Sequence, residues 1–269
     1  MIKINDYTIE FEKFPNGETR INGTDLLNAQ NANNNTITLK YENDNDLIRL
    51  MLVKRFLDER SFGDNIQLKI LYMPYSRMDR VEGNSVFTLK YVSEFINSLG
   101  FSRVFIIEPH SDVTPALIDK SIADYPTIHQ YLPKVISKIK FNKDADYLFF
   151  PDGGAQKRYG NIKGFNQLVG NKKRNFKTGR IESLEVVGDM KPGQKIVIVD
   201  DLSSYGGTFM MSGQKLKDMG AAEVYLLVAH CENSIFDGDI FKTNEIDGVF
   251  TTNSILDQNK THEKLHIIN

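Results

Sequence analysis

The stretch "KIVIVDDLSSYGGTFM", from Lys195 to Met210, combines a run of β-branched residues, two adjacent aspartates and a glycine turn. The β-branched run predicts a buried strand, and Thr208, after Gly206-Gly207, predicts the start of a helix. Ligands of parallel α/β sheets bind beyond the carboxyl ends of the strands, so Asp200 and Asp201 should face that crevice. Carboxylates there can accept hydrogen bonds from sugar hydroxyls or hold a metal ion, and a helix N-terminus favours a phosphate. The stretch therefore indicates a ribose-phosphate site.

The same pattern has two other interpretations. An apolar strand that ends in Asp-Asp is typical of a Walker B element, which requires a Walker A loop elsewhere in the chain. In the nearest segment, "GDMKPGQK", Gln194 stands where the lysine is required, and the chain has no GxGxxG fingerprint. An ordinary turn between a strand and a capped helix stays open, because Asp and Gly are common in such turns.

Apolar, strand-like runs alternate with helical patterns along the chain. The segments "VFTLKYVSEFINSLG" and "TFMMSGQKLKDMG" have helical spacing and end in a glycine. This alternation predicts an α/β fold with mainly parallel sheets flanked by helices. We place a domain boundary near Tyr125-Pro126, between residues 1–125 and 126–269. The expected strands are "IQLKILYMPY", "RVFIIEPH", "DYLFFPD", "QKIVIVDD", "EVYLLVAH" and, last, "IDGVFTTNSI".

Two polar segments are expected to lie outside the regular elements. The asparagine-rich segment "NAQNANNNTIT", residues 28–38, predicts a surface loop or the end of a hairpin. The basic segment "GNKKRNFKTGRIE", residues 170–182, is flanked by glycines and predicts a mobile loop.

The composition argues against several classes of protein. The 269 residues carry a formal net charge of -2, so no basic excess favours nucleic acid as a partner. No apolar run approaches the length of a membrane span, and "MIKINDYTIEFEKF" lacks the apolar core of a signal peptide. The one cysteine, Cys231, fits a reducing cytosol and is interpreted as a buried structural thiol. We therefore expect a cytoplasmic protein with no membrane or nucleic-acid partner.

Six segments together resemble one family. "VIVDDLSSYGGT" resembles the phosphoribosyl pyrophosphate loop of phosphoribosyltransferases and of ribose-phosphate diphosphokinases, also called phosphoribosyl pyrophosphate synthetases. Five further segments resemble the diphosphokinases in particular and occur in the family order: "FPNGETRIN", "MPYSRMDR", "IIEPHSD", "FFPDGGAQKR" and "NKKRNFKTGRIESLEVVGD". The resemblance covers nearly the whole chain.

The resemblance implies two phosphoribosyltransferase-like α/β domains. The first would carry the ATP-binding elements, and the second a pyrophosphate loop, a flexible catalytic loop and a ribose-phosphate loop. The implied reaction moves the β,γ-diphosphate of ATP to the anomeric hydroxyl of ribose 5-phosphate and releases AMP, with Mg2+ as cofactor. The implied assembly is a homo-oligomer, at least a dimer.

Roles for individual residues follow from the matched motifs. Magnesium would be bound by His110 and Asp152. Pyrophosphate would be bound by Asp152, Gly153 and Gly154. ATP would be bound by Phe14, Asn16 and Glu18 of a neighbouring subunit, and by Arg77, Asp79 and Arg80. The ribose-phosphate group would be bound by Asp200, Asp201, Ser203, Ser204, Tyr205, Gly206, Gly207 and Thr208.

The basic segment would supply the catalytic cations. Lys172 and Arg174 align with the lysine and second arginine of the family's catalytic loop, and Lys177 adds a further charge. A shift of one residue would put Lys173 and Asn175 in those places instead. Such a loop would close over ATP, neutralise the transition state and exclude water.

One departure from the family pattern bears on the acceptor. Ser204-Tyr205 stand where the family has Asp-Thr, and Met78 replaces a glutamine. A tyrosine adds bulk to a cradle for a terminal phosphate, so the acceptor is either ribose 5-phosphate or a larger 5-phosphoester such as ADP-ribose. The product from ADP-ribose could serve NAD synthesis. Two other functions stay open: a phosphoribosyltransferase that consumes the pyrophosphorylated sugar, and an inactive homologue that regulates a true synthetase.

Overall fold

The computed structural model describes residues 1–31, 34–60, 65–174 and 181–268. The chain divides into two compact units, Met1–Tyr125 and Pro126–Asn269. Each unit has a sheet of mostly parallel strands flanked by helices, which confirms the predicted fold class.

The first unit contains, in chain order, β1 (Ile2–Ile4), β2 (Tyr7–Ile9), β3 (Phe11–Lys13), β4 (Thr19–Ile21), α1 (Gly23–Asn28), β5 (Asn35–Leu39), α2 (Asn45–Arg60), β6 (Ile66–Ile70), α3 (Thr88–Ser98), β7 (Arg103–Ile107), α4 (Val113–Leu117) and β8 (Ser121–Asp124). Over its described residues the main sheet has the order β2-β1-β5-β6-β7-β8. Strands β5 to β8 are parallel, and β1 is antiparallel to both of its neighbours. Strands β3 and β4 pair as an antiparallel hairpin.

The second unit contains a π-helical turn (Thr127–Tyr131), α5 (Leu132–Lys138), β9 (Tyr147–Phe150), α6 (Gly153–Tyr159), β10 (Asn166–Arg174), β11 (Ile181–Val187), β12 (Lys195–Ser203), α7 (Gly207–Asp218), β13 (Glu223–Cys231), a 3-10 turn (Asn233–Phe236), β14 (Gly248–Thr251) and β15 (Leu265–Ile267). Its sheet has the order β11-β10-β9-β12-β13-β14-β15. Among the strand pairs that the structure describes here, β10–β11 is antiparallel and the others are parallel.

The central strand β12 is buried on both faces. Ile196 and Ile198 belong to the hydrophobic cluster that contains Phe209 of α7. Val197 and Val199 belong to the cluster on the other face, which includes residues of α5 and α6. A strand covered on both faces needs an unbroken apolar run, and "IVIV" supplies it. The following polar residues thereby emerge at the carboxyl edge of the sheet.

The prediction that "IDGVFTTNSI" holds the last strand was wrong. β14 occupies its centre, but β15 follows it and pairs with it in parallel. The three residues of β15 are all partly or fully exposed, so no buried apolar run marked this strand in the sequence.

The prediction of a mobile loop at residues 170–182 was also wrong for the residues described. Gly170–Arg174 lie in β10 and Ile181 lies in β11, and the two strands pair from Val169↔Val187 to Arg174↔Ile181. Residues 175–180, with Asn175 and Lys177, lie outside the described part. In the asparagine-rich segment, α1 ends at Asn28 and β5 begins at Asn35, so its end is strand; residues 32–33 are likewise not described.

Membrane spans were searched for over the described helices. Within them, none is both long and apolar enough to cross a bilayer.

Gly213 of α7 provides a test of the packing. A Cβ added there would lie 2.5 Å from the carbonyl oxygen of Glu245 and 2.9 Å from Cδ1 of Ile246. We expect Gly213→Ala to lower the free energy of unfolding by about 1–3 kcal/mol, the scale of core overpacking. The higher helix propensity of alanine offsets only about 1 kcal/mol of this.

Chemical denaturation measures the change. Gly207→Ala is the matched control, because it lies in the same helix and a Cβ there would meet nothing within 4 Å. A Gly213→Ala variant as stable as this control would contradict the expected packing.

Candidate active site

The two aspartates of the opening stretch lie within β12, not beyond its end. The strand continues to Ser203, which pairs with Cys231 of β13. Asp201 is buried, and the backbone N–H of Asp201 donates to Oδ1 of Asp200 over 2.9 Å. The strand therefore extends two residues past the predicted "QKIVIVDD", because ladder pairing carries on through Leu202 and Ser203.

Arg158 of α6 compensates the buried charge of Asp201. Its Nη1 lies 3.1 Å from Oδ2 of Asp201, and both side chains are largely buried. Sequence reasoning did not single out Arg158, although it follows the glycines of the pyrophosphate motif. The available signal was its place as the last residue of "FFPDGGAQKR", the segment that resembles the family's pyrophosphate loop.

Three carboxylates influence one another at this edge of the sheet. Burial raises the pKa of Asp200 well above its ordinary value, and the charges of Asp201 and Asp152 raise it further. The ionised form of Asp200 is therefore disfavoured until a positive charge arrives. Oxygen donors of this kind suit Mg2+, which is usually held by one or two carboxylates together with substrate phosphates.

Asp152 also organises the predicted pyrophosphate loop. Its Oδ1 accepts hydrogen bonds from the backbone N–H groups of Gly154 and Ala155, both at 3.1 Å, and so caps α6. A Cβ at Gly153 would meet nothing within 4 Å, whereas one at Gly154 would lie 3.2 Å from Oδ1 of Asp152. The cap thus holds the carboxylate where the first turn of α6 begins.

The predicted ribose-phosphate loop turns at Gly206 into α7. Gly206 has a φ of 85°, a left-handed conformation that favours glycine, and its carbonyl oxygen accepts from the N–H groups of Phe209 and Met210. Gly206 has no side chain to cap the first-turn amides of α7. Such a helix N-terminus is a suitable binding site for a phosphate.

A segment after β13 supports this loop from behind, and sequence reasoning missed it. A Cβ on Gly238 would lie 2.1 Å from the carbonyl oxygen of Tyr205, and one on Gly206 would lie 3.0 Å from Cδ1 of Ile240. The close approach requires glycine at position 238. The glycine in "FDGDIF" was the available signal, but its neighbour in space is distant in sequence.

The serine hydroxyls of the loop are engaged within the protein. Ser234 Oγ donates to Oε2 of Glu232 over 3.2 Å and lies 3.0 Å from Oγ of Ser204. Because a serine has one hydroxyl hydrogen, Ser204 must be the donor to Ser234. Ser203 Oγ donates to the carbonyl oxygen of Ser204 at 3.3 Å. The loop therefore presents its backbone amides to an anion, and the side chain of Tyr205 is 60% exposed beside them.

Three of the residues expected to bind ATP, Phe14, Asn16 and Glu18, lie in the turn of the β3–β4 hairpin. Phe14 is 50% exposed, and its backbone N–H donates to the carbonyl oxygen of Glu18. Asn16 Oδ1 accepts from the N–H of Glu18 at 3.2 Å. The asparagine side chain thus shapes the turn, and the aromatic ring projects into solvent.

The other expected ATP ligands follow β6. Asp79 is buried, and Arg80 is mostly exposed, with its Nε 2.8 Å from Oε1 of Glu82 and 3.6 Å from Oδ1 of Asp79. Arg77 lies in the same segment, and His110 follows the neighbouring strand β7. The first unit therefore gathers basic residues at the carboxyl edge of its sheet.

The remaining predictions about site residues have different outcomes. His110 and Asp152 belong to different units, so their joint magnesium site stays a prediction. In the described residues no three His, Cys, Asp or Glu side chains are grouped to hold a metal ion. Lys172 and Arg174 lie in β10 by their backbone, and their side chains are not described.

Burial raises the pKa of Cys231 to about 12, which suits a structural thiol.

The comparisons with known proteins agree with one another. Residues 172–269 match the phosphoribosyl synthetase-associated domain. The ribose-phosphate pyrophosphokinase of Mycoplasmopsis pulmonis is 26% identical over 99% of this chain and 83% of its own length. That of Thermococcus kodakarensis is 28% identical over 92% of this chain and 85% of its own.

A solved structure shows the same fold. The phosphoribosylpyrophosphate synthetase from Mycobacterium smegmatis aligns with a TM-score of 0.74 and 19% identity, over 97% of this chain and 85% of its own. Taken together, the sequence relatives show that the chain is similar to ribose-phosphate pyrophosphokinases over nearly its whole length.

Proposed function

We propose that the protein transfers the β,γ-diphosphate of ATP to the anomeric hydroxyl of a ribose 5-phosphate moiety. The hydroxyl oxygen attacks the β-phosphorus of ATP, the bond from that phosphorus to the α–β bridging oxygen breaks, and AMP leaves as the hydroxyl loses its proton. The observation that carries this proposal is the acid pair Asp200-Asp201 near the end of β12, joined by a short glycine turn to the N-terminus of α7 at Gly207, in a chain similar to ribose-phosphate pyrophosphokinases.

The residues of the second unit have distinct roles in this proposal. Asp200 and Asp201 accept hydrogen bonds from the ribose hydroxyls, and the ion pair with Arg158 orients Asp201. The first-turn amides of α7 hold the 5-phosphate. Asp152, with Gly153 and Gly154, receives the diphosphate, and Asp152 would also hold Mg2+, which would supply charge neutralisation at the phosphates.

The first unit supplies the nucleotide contacts in the same proposal. Guanidinium groups such as those of Arg77 and Arg80 bind phosphate oxygens in pairs of hydrogen bonds. Phe14, in a neighbouring subunit of a homo-oligomer, offers an exposed ring for the adenine base. Phosphoryl transfer depends on positioning and charge neutralisation, so these contacts account for much of the catalysis.

We further propose that ADP-ribose is a better acceptor than ribose 5-phosphate. A terminal phosphate dianion needs more hydrogen-bond donors than the phosphodiester of ADP-ribose. Here the hydroxyls of Ser203 and Ser204 donate to other protein groups, and the second of them leads through Ser234 to the carboxylate of Glu232. The exposed ring of Tyr205 offers a packing surface to the extended acceptor.

The reaction type is tested by its nucleotide product. Incubation with ATP, Mg2+ and either acceptor should yield AMP in amounts equal to the pyrophosphorylated sugar, as measured by mass spectrometry. Stoichiometric ADP without AMP would exclude diphosphoryl transfer. Consumption of a pyrophosphorylated sugar without ATP would instead favour the phosphoribosyltransferase alternative, and the absence of any turnover would favour the inactive homologue.

The catalytic cations are tested by substitution. Lys172→Ala and Arg174→Ala should each lower kcat by roughly a hundredfold, the scale of losing one preorganised charge at a transition state. Circular dichroism should show an unchanged fold. Lys173→Ala and Asn175→Ala are the controls, and a larger loss in that pair would show that the register of the catalytic segment is shifted by one residue.

The acceptor is tested by initial rates with ADP-ribose and ribose 5-phosphate. ADP-ribose should give the higher kcat/KM. Tyr205→Thr should narrow the difference by up to about tenfold, since an aromatic contact contributes roughly 0.5–1.5 kcal/mol beyond its buried area. A preference for ribose 5-phosphate that Tyr205→Thr leaves unchanged would reject ADP-ribose as the acceptor while leaving diphosphoryl transfer intact.

A further inference from the structure

One carboxylate joins two loops at the carboxyl edge of the first unit's sheet. Oδ1 of Asp44 accepts a hydrogen bond from the Tyr41 hydroxyl at 2.6 Å and another from the Tyr75 hydroxyl at 2.5 Å. Tyr41 and Asp44 lie between β5 and α2, whereas Tyr75 lies between β6 and α3. These strands are parallel neighbours, so a single oxygen atom ties together the loops that follow them.

The carboxylate of Asp44 lies at the start of the long helix α2 and stays negatively charged. Asp44 directly precedes α2, and its carbonyl oxygen accepts from the N–H of Leu47 at 3.1 Å. A negative charge at the start of a helix is favoured by the helix dipole. The hydrogen bonds from Tyr41 and Tyr75 lower the pKa of Asp44, so it remains a carboxylate at neutral pH. Asp44 is therefore a fixed hydrogen-bond acceptor, called the anchor below, for the two loops that carry Tyr41 and Tyr75.

Tyr75 carries a strained backbone. Its φ is 60°, in the left-handed region that residues with a Cβ rarely adopt. Such a conformation persists only where its surroundings hold it, and it is found most often at functional segments. The hydroxyl bond to Asp44 holds the side chain, and the N–H of Met78 donates to the Tyr75 carbonyl oxygen at 2.9 Å. Arg77 lies within the turn that this backbone hydrogen bond closes.

We propose that Asp44, acting through the hydroxyl of Tyr75, is a positioning residue for the segment Arg77–Arg80 and thereby for the phosphates of the nucleotide. The inference rests on the proposed function, in which this segment binds ATP. The hydrogen bond to Asp44 fixes the position of Tyr75, where the strained turn starts, and so fixes the position of Arg77 within this turn. Without it the turn relaxes, and the guanidinium groups lose the placement that a polyphosphate needs. Tyr41 supports the anchor by bonding the same oxygen, with its ring centroid 6.3 Å from that of Tyr75.

The inference is tested by calorimetric titration of the full chain with Mg2+ and α,β-methylene-ATP, an analogue that lacks the cleavable bridging oxygen. Tyr75→Phe and Asp44→Ala should each weaken binding of the analogue by about tenfold, the scale of one hydrogen bond to a charged group. The double variant should be no weaker than Asp44→Ala alone, because both changes remove the same bond. Asp44→Asn, which keeps an acceptor oxygen, should recover part of the loss.

Steady-state kinetics separates positioning from a general structural effect. KM for ATP should rise in the Tyr75→Phe and Asp44→Ala variants, while kcat and the KM for the sugar acceptor stay within about twofold of the unmodified protein, because additive, local effects are expected at separate sites. Tyr91→Phe is the matched control, since it removes an exposed tyrosine hydroxyl from α3 of the same unit. It should change none of these three kinetic constants.

The possible outcomes distinguish this inference from the function on which it rests. Variants that bind the analogue as tightly as the unmodified protein would overturn the positioning role alone. An equal loss of acceptor binding would overturn it as well, because the effect would then be general. An unmodified protein that does not bind the analogue would overturn the proposed function and this inference together.

Discussion

The ion pair between Arg158 and Asp201 is the interaction on which the second unit's site depends. A parallel strand buried on both faces delivers two carboxylates to the middle of a sheet edge, where water cannot fully solvate them. Nη1 of Arg158 lies 3.1 Å from Oδ2 of Asp201 and offsets part of the cost of desolvating this carboxylate. Removing one partner of a buried pair typically costs about 3–5 kcal/mol, because the other charge is left uncompensated. The pair therefore links the stability of the unit to the geometry of its ligand site.

Negative charge is concentrated at this edge of the sheet. Burial and the charges of Asp201 and Asp152 raise the pKa of Asp200, and Arg158 forms an ion pair with Asp201. A magnesium–phosphate complex brings both a cation and an anion to such a place. The carboxylates favour the first, and the first-turn amides of α7 favour the second.

The shape of the predicted phosphate loop depends on two glycines, one within the loop and one in a distant segment. Gly206 turns the chain in a left-handed conformation, and Gly238 lets a distant segment approach the carbonyl oxygen of Tyr205. The same distant segment contains Ser234, whose Oγ lies 3.0 Å from Oγ of Ser204. The first unit follows a similar principle at Tyr75, where a strained residue is held by a neighbouring loop. In both units the loop that would face a ligand is shaped by a segment next to it in space.

The sequence alone predicted the fold class, the similarity to ribose-phosphate pyrophosphokinases and the place of the acid pair before a glycine turn and a helix. Those features are local: "IVIV" requires burial on both faces, Asp200 and Asp201 follow it, and glycines mark the turn into a helix. The strand at Leu265–Ile267 was missed because its residues have no apolar pattern, and the β10–β11 pairing was missed because a basic segment pairs through its backbone. Only the tertiary structure decided that Arg158 reaches Asp201, that Glu232 reaches Ser204 through Ser234, and that Asp44 joins Tyr41 to Tyr75. In each case at least one contact joins side chains that are distant along the chain, and its existence depends on the angles at which strands and helices pack, which no spacing along the chain records.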